Sequence, residues 1–228
     1  MTVFEEVDKL YEDGKNQESF EKIQELFKTQ EKSADLYYRM ARHFRDMSSF
    51  VGATDSKLSD EYINKGFNTI SEGKEKFPND GHVNLWYGCF LDLKSRLDGI
   101  DTRIKNSFIV KDHLETASKT LPNDFLANHS IGVWHYEVAA IPYMKRLFAK
   151  TLFSTPPTST YEAALPYLLK AYEAKKEKPY SGNLLYLVKC NYNLKKKAEM
   201  LKYKQILMNL EGEDMDTISA KKEAATYN

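Results

Sequence analysis

The feature that most limits what this chain can fold into is one punctuation mark used twice: Phe77-Pro78-Asn79-Asp80 and Leu121-Pro122-Asn123-Asp124. Each closes a charged stretch and opens an apolar one. Proline has no backbone N–H and disfavours the helical conformation in the residue before it, so it ends the first helix. Asn and Asp then present side-chain oxygens to the unpaired N–H groups of the next helix. The repetition predicts helices joined by one recurrent turn, and it makes a period the first thing to seek.

A third proline, Pro179, extends the pattern. Five residues before the three prolines stand Gly73, Ala117 and Ala174; eight before stand Ile70, Leu114 and Ala171. Nine after stand Tyr87, Ile131 and Val188, and ten after stand Gly88 and Gly132, with Lys189 breaking the column. Small residues at such columns let the two helices of a hairpin approach closely, as in tetratricopeptide repeats. An earlier unit fits without its proline through Tyr37, Met40, Ala41 and Phe44. The prolines are 44 and 57 residues apart, against about 34 for a plain tetratricopeptide unit, so helices or loops must be longer. The expected fold is all-α: a tetratricopeptide-like superhelix of antiparallel helical hairpins with elongated, irregular repeats. It is read as one domain over 1–228, with an N-terminal hairpin at 1–30, units at 31–80, 81–124 and 125–179, and a C-terminal hairpin with a capping helix at 180–228. An ordinary helical bundle is the alternative.

Local signals refine this. Ser33 is expected to cap a helix, and Ser49 to Ser56, containing Gly52, reads as a loop. Pro142 is expected to kink or restart a helix, and Ser159-x-x-Glu162 has capping-box spacing. No stretch alternates apolar and polar residues as a strand does.

With 42% hydrophobic and 29% charged residues the chain can pack a core beneath a soluble surface. Two cysteines, Cys89 and Cys190, fit a reducing compartment. The start, Met1-Thr2-Val3-Phe4-Glu5-Glu6, reads as an amphipathic helix unlike a targeting peptide, and no membrane anchor is expected. Formal net charge is zero but uneven. Residues 1–80 hold 12 Lys/Arg against 17 Asp/Glu, whereas Lys145 to Lys204 holds 13 against 4. An acidic front and a basic back would orient the molecule toward a polyanion.

No zinc-protease motif, phosphate-cradling glycine loop or nucleophile elbow occurs, and the cysteines lack metal spacing. Asp112-His113 reads as a solvated helix face. The chain is read as a binding module without catalysis, cofactor, metal or nucleic acid. The repeat register places His82, Leu85, Cys89 and Asp92 on the concave face, then Leu126, His129, Val133 and Tyr136, then Asn183, Tyr186, Cys190 and Asn193. Such a groove suits a hydrophobic peptide helix, a lipid chain or the chain's own C-terminal helix. The basic candidates for a polyanion are Lys145, Arg146, Lys150, Lys170, Lys175, Lys176, Lys178, Lys195, Lys196, Lys197, Lys202 and Lys204, with Lys195–Lys197 expected at a hairpin turn.

Three stretches converge on a family. They are Gly99 to His113 (Gly-Ile-Asp-Thr-Arg-Ile-Lys-Asn-Ser-Phe-Ile-Val-Lys-Asp-His), Gly132-Val133-Trp134, and Ala149 to Tyr161 (Ala-Lys-Thr-Leu-Phe-Ser-Thr-Pro-Pro-Thr-Ser-Thr-Tyr). Together they resemble the regulator of microtubule dynamics family over roughly residues 30 to 210. The resemblance implies a cytosolic tetratricopeptide-like protein that binds tubulin in microtubules, with spindle microtubules and poles as its site, chromosome segregation as its task and other spindle proteins as partners. Longer members carry an N-terminal membrane anchor, and one of them is implied to bind phospholipid within this helical domain, which makes a lipid in the groove a second expectation.

Overall fold

The structure, a computed structural model, describes residues 3–52, 54–142, 157–212 and 214–228. Eleven helices and no strand occur among the described residues. They fall into two compact units, Met1–Thr120 and Leu121–Asn228.

The first unit comprises α1 (Val3–Glu12), α2 (Asn16–Thr29), α3 (Ala34–Gly52), α4 (Ser56–Lys76), α5 (Gly81–Leu97) and α6 (Ile100–Thr120). Successive helices pair as hairpins, and α3 also meets α5. Val7, Phe20, Ile23, Leu26, Leu36 and Met40 close a core over α1, α2 and α3. The expected loop over 49–56 is shorter than its composition implies. Helix α3 continues through Ser49 and Phe50 to Gly52, and Asp55 caps α4 by accepting from Leu58 N–H at 2.9 Å. Ser33 accepts from Leu36 N–H at the start of α3, as expected.

The turn at Pro78 works as its residues predict. Asp80 caps α5 by accepting from Val83 N–H at 2.9 Å. Asn84, one turn into the helix, then donates its amide to the Pro78 carbonyl at 2.9 Å and the Asp80 carbonyl at 2.7 Å. The Pro122 turn repeats this: Asp124 caps through Ala127 N–H at 2.7 Å, and Asn128 donates to the Pro122 and Asp124 carbonyls at 3.0 and 2.7 Å. A buried amide that satisfies two carbonyls fixes the entry angle of the helix behind it.

The second unit comprises α7 (Phe125–Ala139), α8 (Tyr161–Ala174), α9 (Ser181–Asn193), α10 (Lys197–Met208) and α11 (Met215–Ala224). Its core joins Tyr136, Ala164, Leu168, Leu184, Leu187, Met200, Leu207 and Ala224 from all five helices. Pro166 lies inside α8 on its exposed side. Helix α7 ends at Ala139, before Pro142. The cap of α8 is Thr160, which accepts from Ala163 N–H at 3.2 Å. Ser159, the expected cap, lies 2.7 Å from His135 Nδ1 instead.

The small-residue columns are where helices touch. A Cβ on Gly88 would stand 3.0 Å from Leu114 Cδ2, and one on Gly132 would stand 2.9 Å from Leu168 Cδ2. This pairing also corrects the register of the third repeat. Leu168 does for Gly132 what Leu114 does for Gly88, so Leu168 and Ala171 occupy the places of Leu114 and Ala117. Ala174, assigned to that column by its distance from Pro179, is exposed. Added residues in the exposed Lys175–Lys178 link displace the proline from the helix end.

Candidate binding surfaces

Two polar clusters in the first unit have the composition of acid–base chemistry and a different geometry. Ser19 Oγ donates to the Val7 carbonyl at 2.8 Å and lies 3.1 Å from His43 Nε2. The serine proton is committed to a carbonyl, so His43 Nε2 is the donor in that contact. Burial holds the His43 imidazole down at about 4, with the Arg42 charge adding to the effect. The pair ties α1, α2 and α3 together. His113, expected on a solvated face, is half-buried: its Nδ1 lies 2.7 Å from Asn84 Oδ1, and its ring meets Tyr87 edge-on at 4.6 Å. Sequence spacing gave no sign of that partner, 29 residues away. In the second unit Cys190 donates to the Tyr161 carbonyl at 3.2 Å, and burial pushes its thiol up to about 12, far from the range of a nucleophilic thiolate. Among the described residues no three His, Cys, Asp or Glu side chains gather as a metal site.

The expected groove positions behave differently in each unit. On α5, His82 stacks on Tyr38 with ring centres 4.5 Å apart, Leu85 is 1% exposed, and Cys89 is half-buried. Asp92 binds Arg96 and Arg103. In the second unit the positions on α7 and α9 are knitted to each other. His129 Nδ1 donates to Asn183 Oδ1 at 2.9 Å, because the Asn183 amide is already given to the Leu168 carbonyl at 3.0 Å. Tyr136 meets Tyr186 edge-on at 5.3 Å, and Asn193 donates to the Tyr136 hydroxyl at 3.2 Å. Tyr186 donates to Glu137 at 2.7 Å. Burial lowers the His129 imidazole and raises the Tyr136 and Tyr186 phenols. Leu126 and Val133 are half-buried, and Cys190 is fully buried. Leu85 and Cys190 therefore serve hairpin cores rather than an open wall.

The chain's last residues pack beside this aromatic face. Glu223 on α11 pairs with Lys189 at 2.9 Å, Tyr227 meets Tyr192 edge-on at 5.0 Å, and Lys204 donates to the Tyr227 carbonyl at 2.7 Å. Lys189 also stands 5.3 and 5.0 Å from the Tyr136 and Tyr186 ring centres. The sequence carried a signal for this residue, since Lys189 is the one break in an otherwise small column.

The basic candidates separate by what they already hold. Lys145, Arg146 and Lys150 lie outside the described residues. Lys176 pairs with Glu173 at 3.4 Å and Lys202 with Glu199 at 3.3 Å. Lys175 lies over Phe125 and Lys170 near Tyr167, at 4.7 and 5.9 Å from the ring centres. Lys204 is occupied by backbone carbonyls. Lys178 and the run Lys195–Lys197 are exposed and make no ion pair among the described residues.

That run forms the turn between α9 and α10. Lys195 has φ 57, the left-handed region, with its N–H donated to the Tyr192 carbonyl at 3.0 Å and the Lys196 N–H to Asn191 at 2.9 Å. This is a Schellman closure with lysine where glycine is usual. Beside it opens a cavity of about 470 Å³ lined by Tyr192, Asn193, Lys195, Lys197, Met200 and Asn228. Among the described residues no helix is long and apolar enough to cross a membrane.

A family profile described as "Regulator of microtubule dynamics protein 1-3" matches residues 3–227. The chain is similar to regulator of microtubule dynamics protein 1 of Bos taurus, 32% identical over 86% of this chain and 60% of that protein. It is also similar to the human protein of that name, 34% identical over 70% of this chain and 50% of the relative. Human regulator of microtubule dynamics protein 2 is 29% identical over 94% of this chain and 52% of its own length. The chain thus spans half to two thirds of the length of these relatives. Among solved structures it resembles a thermophilic TPR protein of Thermus thermophilus, with a TM-score of 0.63 and 11% identity over 98% of this chain and 97% of that one. That likeness bears on fold alone, and it agrees with tetratricopeptide-like helical repeats.

Proposed function

The chain belongs to the regulator of microtubule dynamics protein 1-3 family, and from that premise we propose that it is a non-enzymatic helical-repeat module that binds microtubules through the exposed lysines of the α9–α10 turn. The observation that carries the reading is the state of Lys195, Lys196 and Lys197. They are exposed, adjacent and without an ion-pair partner among the described residues, while Lys176, Lys189 and Lys202 are neutralised within the fold. The family ties the chain to an acidic polymer, and unspent positive charge is what such a polymer attracts. Association with the cytoskeleton, and specifically with spindle microtubules and poles during chromosome segregation, is the cellular setting of the proposal.

The test is co-sedimentation with microtubules over a salt series. Charge attraction is screened beyond about 8 Å at physiological ionic strength, so binding should weaken steeply as salt rises. Reversing Lys195, Lys196 and Lys197 to Glu should lower affinity with little change in thermal stability, because exposed charges contribute little to folding. Reversal of Lys9 and Lys15, both exposed in the first unit, with Lys15 held only by an exposed Glu18 at 3.9 Å, is the control; Lys22 is left alone because it pairs with Glu6 at 2.5 Å. Equal loss in both variants, or binding indifferent to salt, would remove the proposed contact.

A second reading, an apolar ligand or partner helix on the aromatic face, has one observation behind it: the α7–α9 face already receives the chain's own C-terminal residues through Tyr227 and Glu223. Lipid extracted from purified protein, or a stability shift on adding lipid, is the measurement that separates it from the first.

A further inference from the structure

The cavity at the α9–α10 turn has a chemistry more specific than a basic surface. Lys195 and Lys197 are two of its six lining residues, none of which carries an acidic side chain. The two lysines cannot drift as surface lysines do at the backbone level. The Schellman bonds fix Lys195, and Lys197 is the first residue of α10. The first-turn N–H groups of α10 face no side-chain cap, since the N-cap residue is Lys196. Positive potential from the helix end adds to that of the lysines, and Glu199 in the first turn, paired with Lys202 at 3.3 Å, offsets part of it. Beside the charges, the half-exposed Tyr192 ring offers an apolar surface, and Asn193 offers its amide oxygen, its N–H groups being given to the Tyr136 hydroxyl and the Lys189 carbonyl; Met200 is 1% exposed and belongs to the core. The volume lies within the roughly 300–1,000 Å³ typical of ligand pockets.

A bare inorganic anion would use the lysines and leave the tyrosine idle. An extended peptide with carboxylate side chains uses both: its acids meet the lysines, its stems lie on Tyr192, and its backbone meets Asn193. We propose that this cavity is a binding site for an acidic peptide segment, rich in glutamate, of the partner polymer. This deepens the microtubule reading and rests on it for the identity of the partner, though not for the chemistry of the site.

The full chain is titrated against a fluorescently labelled glutamate decapeptide, read by anisotropy, and in parallel against intact microtubules and microtubules whose acidic tails have been clipped by limited proteolysis. Lys195→Glu with Lys197→Glu should weaken peptide binding roughly tenfold or more, since like charges then face the ligand. Lys195→Gly gives a variant that keeps the turn: it should bind peptide more weakly while folding at least as well. Tyr192→Ala should weaken the peptide and leave competition by inorganic phosphate unchanged. Peptide affinity unmoved by the double reversal overturns the proposal, as does phosphate competing as well as the peptide. Equal binding to intact and clipped microtubules also overturns it and leaves the microtubule reading intact. Peptide binding that depends on Lys195 and Tyr192, without sedimentation on either polymer, upholds the site and removes the microtubule reading.

Discussion

Lys195 is the one non-glycine residue at positive φ among the described residues. A side chain there costs the fold conformational energy that glycine would not. Lys195→Gly should raise the urea midpoint by the equivalent of about 0.5–1 kcal/mol, despite the greater unfolded-state freedom of glycine. An unchanged or lower midpoint would mean the turn is relaxed around lysine. At this scale the sequence was legible wherever a residue acts on its own backbone. The Asp80 and Asp124 caps and the close approaches at Gly88 and Gly132 follow from residue type and spacing. It was not legible where a residue is recruited by a distant one. Nothing beside His113 in the chain announces Asn84, and nothing beside Cys190 announces the Tyr161 carbonyl. The same limit applies to the basic run: lysines at 170–178, 195–197 and 202–204 look alike in sequence, and only their neighbours in space distinguish the spent from the available.

Helices are defined here by how they begin. Asp80→Ala and Asp124→Ala should each cost about 1 kcal/mol, the ordinary loss of an N-cap, seen as lower thermal midpoints without a change in helix content. A loss well below that for both would show that Asn84 and Asn128 already hold the turns alone. Element boundaries were the part of the fold least visible in advance. The α8 cap is one residue later than the capping-box spacing implied, because Ser159 is drawn to His135 and Thr160 takes the N–H. Helix α3 outruns its expected end because Gly52 lies at its last position rather than within a loop. The third repeat shows why a proline-anchored period misleads: proline marks where the next helix can begin, not where the last one ended, and Lys175–Lys178 occupies the difference.

For the molecule as a whole, acid should be destabilising in both units. Burial holds His43 and His113 in the first unit and His129 in the second below the ordinary imidazole value. Each is then kept neutral in the fold while the unfolded chain takes up a proton near pH 6.5. Their contribution is complete above that pH and is lost as pH falls toward the folded value, about 4 for His43. Urea midpoints should decline between pH 7 and pH 5, and His43→Asn should flatten part of that decline while lowering stability at neutral pH. A midpoint that rises on acidification would show that other groups dominate; the Asp46 carboxyl, raised by burial, works in that opposite sense at the acid end.

The closure at each proline turn is made within seven residues, Pro78 to Asn84 and Pro122 to Asn128: the cap, the helix it caps and the amide that seals the carbonyls are all local. A block of chain cut from one such turn to the next carries its own seal at the cut. Lineages that lengthen or shorten by copying or deleting a block would leave no orphaned polar group at the seam. The irregularity then accumulates where this protein shows it, in the unsealed links such as Lys175–Lys178.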